Sequence, residues 1–401
     1  MAGSKRLKPK SVIHDARSDH VAAALRLAIR RAMQEAIRLT GKKTTHEGAG
    51  RSEQPLVERA VEPASAPIAQ APKSTGARRL PSFAVGLSGG PDSAMLAVHA
   101  AAVARDLGVG LHIFHVHHGL QAPADRWRNQ VHDLAMRLRL PCHSVQVHVH
   151  LDRGDGMEEA ARHARYTALA RLARQHDVHA ILLAHHRDDQ AETVLLRLLR
   201  GAGPAGLGAM APRLERDGVV YLRPWLDIAR AEILEQAQRY KEETGWKPVQ
   251  DPTNTDDQYT RAAVRERLAP QLNVRWPGWQ ANLARHARLS REAALVLDEI
   301  AEQDLRTLEP SDDLHDFSLL RWRQLSRPRQ ALVLRRWLAC LNQRMPTEAR
   351  LEDLMRQLRG LHALGHDRQM RVKHGDAHIV CRRGRVALER AALTDDEVKK
   401  S

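Results

Sequence analysis

Cysteine is scarce: Cys142, Cys340 and Cys381 stand far apart and no CxxC pair occurs. That excludes a disulfide framework and a cysteine-rich zinc or iron–sulfur centre, and it fits a reducing, cytoplasmic compartment. Aromatic residues make up 3% of the chain. A core must therefore come mostly from Leu, Val and Ala, with few rings left to stack on nucleobases. No apolar run approaches the ~20 residues that span a bilayer. The most apolar stretch, 93–104, contains His99 and stops at Arg105. Nor does an apolar signal core follow Lys5, Arg6, Lys8 and Lys10. No membrane partner is expected.

What is present is a chain of 401 residues, 43% hydrophobic and 28% charged, enough for two or three soluble domains. Its net charge is +15, of which residues 1–80 carry +9. Attraction to nucleic acid follows, although much of the excess sits in one segment. There Pro63, Pro67 and Pro72 lie among Ala, Ser, Gln and charges, the composition of a disordered basic extension. Within it, Leu25, Ile29, Met33 and Ile37 recur every four residues and predict a basic amphipathic helix over 21–39.

From Pro81 the pattern alternates. Short apolar runs at 83–87, 110–116, 142–149, 179–184 and 219–222 read as strands. Helix-length segments at 94–104, 126–138, 157–175, 189–199 and 228–242 separate or follow them. This predicts an α/β fold over 81–275: a mainly parallel five-stranded sheet with helices on both faces and ligands beyond the carboxyl ends of its strands. Helices at 282–302, 328–341 and 348–358, then a hairpin from 370–380 and 385–388, predict a smaller, mostly helical domain over 276–390 and a tail over 391–401. Pro328 suits a first helical turn and Thr347 an N-cap.

The strongest local signal is Ser88-Gly89-Gly90-Pro91-Asp92-Ser93, placed directly between a predicted strand and a helix. Paired glycines permit a turn whose N–H groups face inward as a phosphate nest, and the helix N-terminus adds orphan donors. Ser88 and Ser93 can donate as well. Asp92 would repel bare phosphate, so its presence makes sense if it recruits Mg²⁺. No GxxxxGK[ST] or GxGxxG occurs.

Other blocks collect at the same strand ends. His115, His117 and His118 lack a further well-placed ligand for a tetrahedral zinc set, and read as lining a pocket or holding strand-end backbone. Glu158 and Arg162 form an i,i+4 pair, with Arg165 and Tyr166 following. In His185-His186-Arg187-Asp188-Asp189-Gln190-Ala191-Glu192, the acids at a helix start satisfy the dipole, but Asp189 and Glu192 also share one face toward the crevice. With Asp92 they can make an acidic cluster. Gly201, Gly203, Gly206 and Gly208, after Arg197 and Arg200, read as a lid or as a helix-terminating loop. Arg329, Arg335 and Arg336 make a candidate basic face in the second domain.

The loop at 88–93 resembles the pyrophosphate loop of the N-type ATP pyrophosphatases, which implies an adenine nucleotide alpha hydrolase-like fold and cleavage of ATP to AMP and pyrophosphate. His117-His118-Gly119-Leu120, the block at 185–192, Arg200-Gly201-Ala202-Gly203-Pro204, Arg223-Pro224-Trp225-Leu226 and Asp251-Pro252-Thr253-Asn254 together resemble tRNA(Ile)-lysidine synthetase. The resemblance is specific over about 81–275 and looser to about 390. It implies a carbon–nitrogen ligase that joins free L-lysine to C2 of the wobble cytidine of tRNA(Ile) with anticodon CAU, using ATP and Mg²⁺.

By the same resemblance Asp92, Asp189, Glu192 and Arg165 are the catalytic set. Ser88, Gly89, Gly90, Asp92, Ser93 and His117 face ATP, with Asp92 toward Mg²⁺. Glu158, Arg162, Arg200, Arg261 and Arg265 face lysine or tRNA. The family's Arg-Asn pair is here Arg261-Ala262, followed by Arg265, so one polar side chain is lost. The further C-terminal domain of many relatives is not expected, and a homodimer is compatible with the sequence although no residue argues for one. The alternatives are a tRNA 2-thiolation enzyme of the same superfamily, for which Cys142 is poorly placed, and a non-catalytic RNA-binding protein on this fold.

Overall fold

The structure, a computed structural model, describes residues 16–43, 81–117, 124–147, 157–249, 260–361 and 370–390. Two compact units divide the chain, one formed by 1–201 with 209–287 and one by 202–208 with 288–401.

The first unit is built on a six-stranded sheet. Its members are β1 (Ser82–Gly86), β2 (Gly110–His117), β3 (Cys142–Gln146), β4 (Val178–Leu182), β5 (Arg213–Arg216) and β6 (Val219–Leu222), in the order β3-β2-β1-β4-β6-β5. All neighbours run parallel except β5, which pairs antiparallel with β6. The predicted five parallel strands are therefore present, and β5 is an addition: Arg-Leu-Glu-Arg carries no strand-like apolar run and is ordered by pairing along an edge. Phe83, Ala84, Val85, Ile113, Phe114, Ile181 and Leu182 are buried, as strands covered on both faces require.

Helices α2 (Pro91–Leu107), α3 (Ala124–Leu138), α4 (Met157–Gln175), α5 (Arg187–Leu199) and α7 (Arg230–Thr244) surround this sheet, and a short α6 (Pro204–Leu207) belongs to the other unit. The helix predicted in the N-terminal segment is present as α1 (Ala16–Lys43). Its Val21, Leu25, Ile29, Met33 and Ala36 are buried in the same core as α2 and α7. Trp225 Nε1 donates to the Leu25 carbonyl at 3.2 Å, and Arg30 pairs with Asp106 at 2.7 Å. This corrects the expectation of disorder for 16–43: the apolar spacing has a binding face to fill. Residues 1–15 and 44–80 lie outside the described residues.

A helical run, α8 (Thr260–Ala263), a π-helical turn (Val264–Leu268) and α9 (Ala269–Arg275), leads into α10 (Trp279–Thr307), within which the two units meet in sequence. The compact boundary thus falls after residue 287 rather than at the expected 275. The second unit adds β7 (Asp316–Ser318), α11 (Leu319–Gln324), α12 (Arg327–Cys340), α13 (Glu348–Gly360), β8 (Met370–His374), β9 (Ala377–Arg382) and β10 (Arg385–Arg390). The last strands and β7 form an antiparallel sheet, β7-β10-β9-β8, around Phe317, Trp322, Trp337 and Leu351. Pro328 occupies the first turn of α12, and Thr347 caps α13 by accepting from the Arg350 N–H.

Candidate active site

The strand order reverses beside β1, so the loops leaving β1 and β4 flank one crevice at the carboxyl ends of the sheet. The first is the loop at 88–93. Ser93 Oγ donates to the Gly90 carbonyl (3.2 Å), accepts from the Ser88 N–H (3.2 Å) and lies 3.0 Å from Ser88 Oγ. Gly89 has φ +97°, and its carbonyl accepts from Val249 N–H at 2.9 Å. A Cβ there would sit 2.8 Å from Val249 Cγ2. Gly90 differs: a Cβ would meet nothing nearer than Ser88 Oγ at 3.9 Å. The fold thus needs glycine at 89, whereas the space above Gly90 is free for a ligand.

His115 supports this loop from the neighbouring strand, its Nδ1 lying 2.8 Å from the Leu87 carbonyl. Burial, together with His117, His132 and Arg128, pushes its pKa down against the Leu87 hydrogen bond. The neutral ring therefore donates to that carbonyl and fixes the strand end. His117 closes β2, its ring 6.3 Å from that of His115. His118, Gly119 and Leu120 lie outside the described residues, as do Asp251, Pro252, Thr253 and Asn254.

The second loop carries the acids. His186 caps α5, its Nδ1 accepting from the Asp189 N–H (3.3 Å) while Asp189 Oδ2 accepts from the His186 N–H (3.2 Å). Its Nε2 lies 3.9 Å from Asp92 Oδ1 and 3.3 Å from Asp189 Oδ2, so one imidazole joins the two loops. Arg230, at the start of α7, approaches Asp92 Oδ2 at 3.5 Å and gives its backbone N–H to Asp188 at 2.9 Å. Asp92 Oδ1 is buried without a hydrogen-bond partner.

Asp189 and Glu192 converge on Arg265. Its Nε donates to Glu192 Oε1 at 2.5 Å, and its Nη2 donates to Glu192 Oε2 at 2.9 Å and to Asp189 Oδ1 at 3.1 Å. The carboxyls are tuned apart. Burial raises Glu192 by more than Arg265 lowers it. For Asp189 burial is again the largest influence, but His186, His185 and Arg265 together outweigh it and the net shift is downward. Arg265 sits in the π-helical turn, whose larger number of residues per turn re-aims it relative to Arg261. Arg261 instead approaches Thr193 Oγ1 at 3.5 Å. Ala262 is buried between them, so polar contacts at this end of the helix come from the two arginines rather than from an asparagine.

Behind the acids lies His185. Burial first, then the charges of Arg223, Arg162 and Arg261, press its pKa to about 3 against the pull of Asp189. Its Nδ1 has no partner. Arg197, depressed by burial and by Arg162, Arg261 and Arg223, belongs to the same arginine group. Arg223 is held by the Ala211 carbonyl (2.8 Å) and Tyr166 Oη (3.2 Å), and Arg162 lies over the Tyr166 ring at 5.3 Å.

The structure therefore brings together Ser88, Gly89, Gly90, Asp92, Ser93, Asp189, Glu192, Arg261 and Arg265, with Arg162 beside His185. Arg165 and Arg200 are exposed, on α4 and at the C-cap of α5. The side chain of Glu158 lies outside the described residues. Sequence reading missed Arg230, Arg223, Arg197 and the bridging role of His186. Arg230 could have been found as the first residue of a helix that must begin at the strand ends.

Two other segments singled out in the sequence have these surroundings. The glycine segment 202–208 belongs to the second unit, where Arg291 donates to the Gly208 carbonyl at 2.8 Å. The basic face of α12 is paired: Arg329 with Asp304, Arg335 with Glu348 at 2.5 Å, and Arg336 with Glu302 at 2.9 Å. Cys142 is a half-buried free thiol that burial pushes up to about 11, which disfavours the thiolate.

Residues 63–272 match the PP-loop domain family, the ATP-binding class that the loop and crevice define. Residues 317–387 match the TilS substrate-binding domain. A tRNA(Ile)-lysidine synthase of Bordetella parapertussis is 60% identical over 307 residues, 77% of this chain and 89% of that protein. One of Ralstonia nicotianae is 45% identical over 289 residues, 71% of this chain and 60% of that protein. The chain belongs to the tRNA(Ile)-lysidine synthase family. Among solved structures it is similar to a U34-tRNA thiolase of Methanococcus maripaludis, 19% identical with a TM-score of 0.43, over 53% of this chain and 72% of that one. No helix among the described residues is long and apolar enough to cross a membrane.

Proposed function

We propose that this protein joins free L-lysine to C2 of the wobble cytidine of tRNA(Ile) bearing a CAU anticodon, at the expense of ATP. The observation that carries this reading is the meeting of two chemistries in one crevice. A phosphate nest at 88–93 ends in Asp92, and His186 connects it to the Asp189–Glu192–Arg265 cluster.

The polyphosphate of ATP occupies the space above Gly90, where backbone N–H groups and the two serines bear on its charge. Asp92 Oδ1, buried without a hydrogen-bond partner, is a hard oxygen donor that fits Mg²⁺, and Asp92 would be the residue that holds it. Bound there, Mg²⁺ would supply charge neutralisation on the phosphates. Cytidine O2 attacks the α-phosphorus and pyrophosphate leaves, giving an adenylated base. Anticodon-loop bases are single-stranded, so this one can be splayed into a pocket.

Asp189 and Glu192 hold the lysine amine in the second half of the crevice. Its ε-nitrogen attacks C2, the C2–O2 bond breaks, and AMP departs with the oxygen. The amine must shed a proton. Glu192, the carboxyl that burial raises, is the better-matched acceptor, whereas His185 at about 3 is too weak a base. Arg162, Arg197 and Arg261 bear on the RNA phosphates, and the buried Arg223 positions Tyr166 beneath them. Arg165, exposed on α4, is left to RNA contact rather than chemistry.

The test is ATP-dependent incorporation of labelled lysine into purified transcripts. The isoleucine CAU transcript should be labelled and the methionine CAU transcript should not, and Asp92→Asn should abolish labelling. ATP and tRNA binding without any lysine transfer would refute the reading.

A further inference from the structure

Among the described Phe, Tyr and Trp residues, all but one are buried or half-buried. The exception is Trp276, at 58% exposure. In a chain this poor in rings, leaving the largest apolar side chain in water forgoes burial that every other tryptophan obtains at least in part.

The backbone that presents this indole is also fixed. It caps α9, and its backbone N–H donates to the Leu272 carbonyl at 2.8 Å. Its own carbonyl accepts from Trp279 N–H at 3.1 Å across a corner turned by Gly278, φ +84°. Trp279, buried beneath, donates its Nε1 to Asn273 Oδ1 at 2.9 Å and locks the corner from the other side. The Arg275 guanidinium lies 5.8 Å from the Trp276 ring centre. From 260 to 287 the chain carries Arg261, Arg265, Arg267, Arg275 and Arg285 against the single carboxylate of Glu266. The helical run that places Arg261 and Arg265 in the active site continues without a break to Arg275. At ~1.5 Å per residue, Trp276 stands about 16 Å along it from Arg265.

We propose that Trp276, flanked by Arg275, is a stacking platform for a base of the RNA substrate that flanks the active site. An exposed indole carried on a fixed corner, with Arg275 beside it, matches an unpaired base and its phosphate, since stacking accepts any base and the cation meets the backbone. A second copy of this chain, carrying the same excess of arginine on this segment, is the poorer match. The assignment of the RNA as a CAU anticodon loop rests on the lysidine reading. The platform itself requires only single-stranded RNA.

The test measures binding of an RNA stem-loop carrying the CAU anticodon loop to the full-length protein, wild type against Trp276→Ala and Trp276→Phe. Lysine transfer, ATP KM and sedimentation are followed in parallel. Trp276→Ala should bind RNA about tenfold more weakly, equivalent to ~1.4 kcal/mol, with ATP KM unchanged. Trp276→Phe should recover most of the loss, and quenching of protein emission by RNA should shrink in both variants. Equal RNA affinity in wild type and Trp276→Ala, while wild type transfers lysine, overturns the platform and leaves the proposed reaction standing. Weakened RNA binding in Trp276→Ala, when wild type transfers no lysine, supports the platform and removes the lysidine reading. A changed sedimentation coefficient at unchanged RNA affinity overturns it in favour of a contact between copies.

Discussion

Arg265 spans both buried carboxylates of α5, holding Glu192 through two nitrogens at 2.5 and 2.9 Å and Asp189 at 3.1 Å. Removing one partner from such a group leaves uncompensated charge. Arg265→Gln should therefore destabilise the protein by about 3 kcal/mol in urea unfolding. The double variant with Glu192→Gln should recover at least ~1 kcal/mol of that loss, because the two sites share one interaction. The sign of the pH effect follows from Glu192. A carboxyl raised by burial favours the protonated fold, and that contribution is lost as pH rises through its folded value. Arg265→Gln should thus lie nearest to wild type near pH 5 and furthest from it at pH 8. A constant difference between the two would count against the cluster.

The two adjacent glycines should respond differently to alanine. At Gly89 the positive φ and the 2.8 Å approach to Val249 Cγ2 both oppose a side chain, so Gly89→Ala should cost about 1–2 kcal/mol in stability. At Gly90, φ is −69° and the surrounding space is open. Gly90→Ala should melt within a few degrees of wild type yet raise the KM for ATP at least ~10-fold, its methyl standing where phosphate must approach. If Gly90→Ala kept a normal ATP KM, the nest would not be the phosphate site.

These contrasts mark what the sequence could and could not show. The β1–α2 loop was legible because its glycines, serines and proline sit between a short apolar run and a helix start. Asp189 and Glu192 were legible as one helical face. Arg230 was not, since a basic residue opening a helix looks solvated until the end of β6 is seen to deliver it beside Asp92. The pairing on α12 was not legible either: Arg329, Arg335 and Arg336 look unpaired along the sequence, but Asp304, Glu348 and Glu302 from other helices pair with them. The edge strand β5 has no apolar pattern and owes its order to β6. Pairing across long sequence separations is what periodicity cannot report.

His99 gives a pH test of the α2 core. It is buried edge-on to Trp225, with 6.3 Å between ring centres, and both ring nitrogens lack a partner. Burial, with Arg26 adding to it, pushes its pKa down to about 4. The fold therefore holds the neutral ring. As pH falls below the ordinary value of 6.5, the unfolded chain takes up a proton that the folded chain refuses, and stability declines toward pH 4. The loss from this residue should reach ~2 kcal/mol at pH 5 relative to pH 8. His99→Leu should flatten the dependence of melting temperature on pH across this window. An unchanged slope would mean that the ring finds a partner or water in solution.

The N-terminal helix offers the sharpest separation of packing from charge. Leu25, Ile29 and Met33 are fully buried against α2 and α7, while Arg26, Arg31 and Arg38 lie on the outer face. Ile29→Ala should cost ~2–4 kcal/mol, as a large-to-small change in a packed core does. The triple Arg26→Ala, Arg31→Ala, Arg38→Ala variant should stay within about 0.5 kcal/mol of wild type, since exposed charges contribute little. Because the first turn of α2 carries Asp92 and Ser93, loosening its outer side should also reach the nucleotide: Ile29→Ala should raise the KM for ATP, and the triple variant should not. Thermal melts and ATP titrations on the same samples decide this. A destabilised Ile29→Ala variant with an unchanged ATP KM would show that α1 stabilises the unit without shaping its loop.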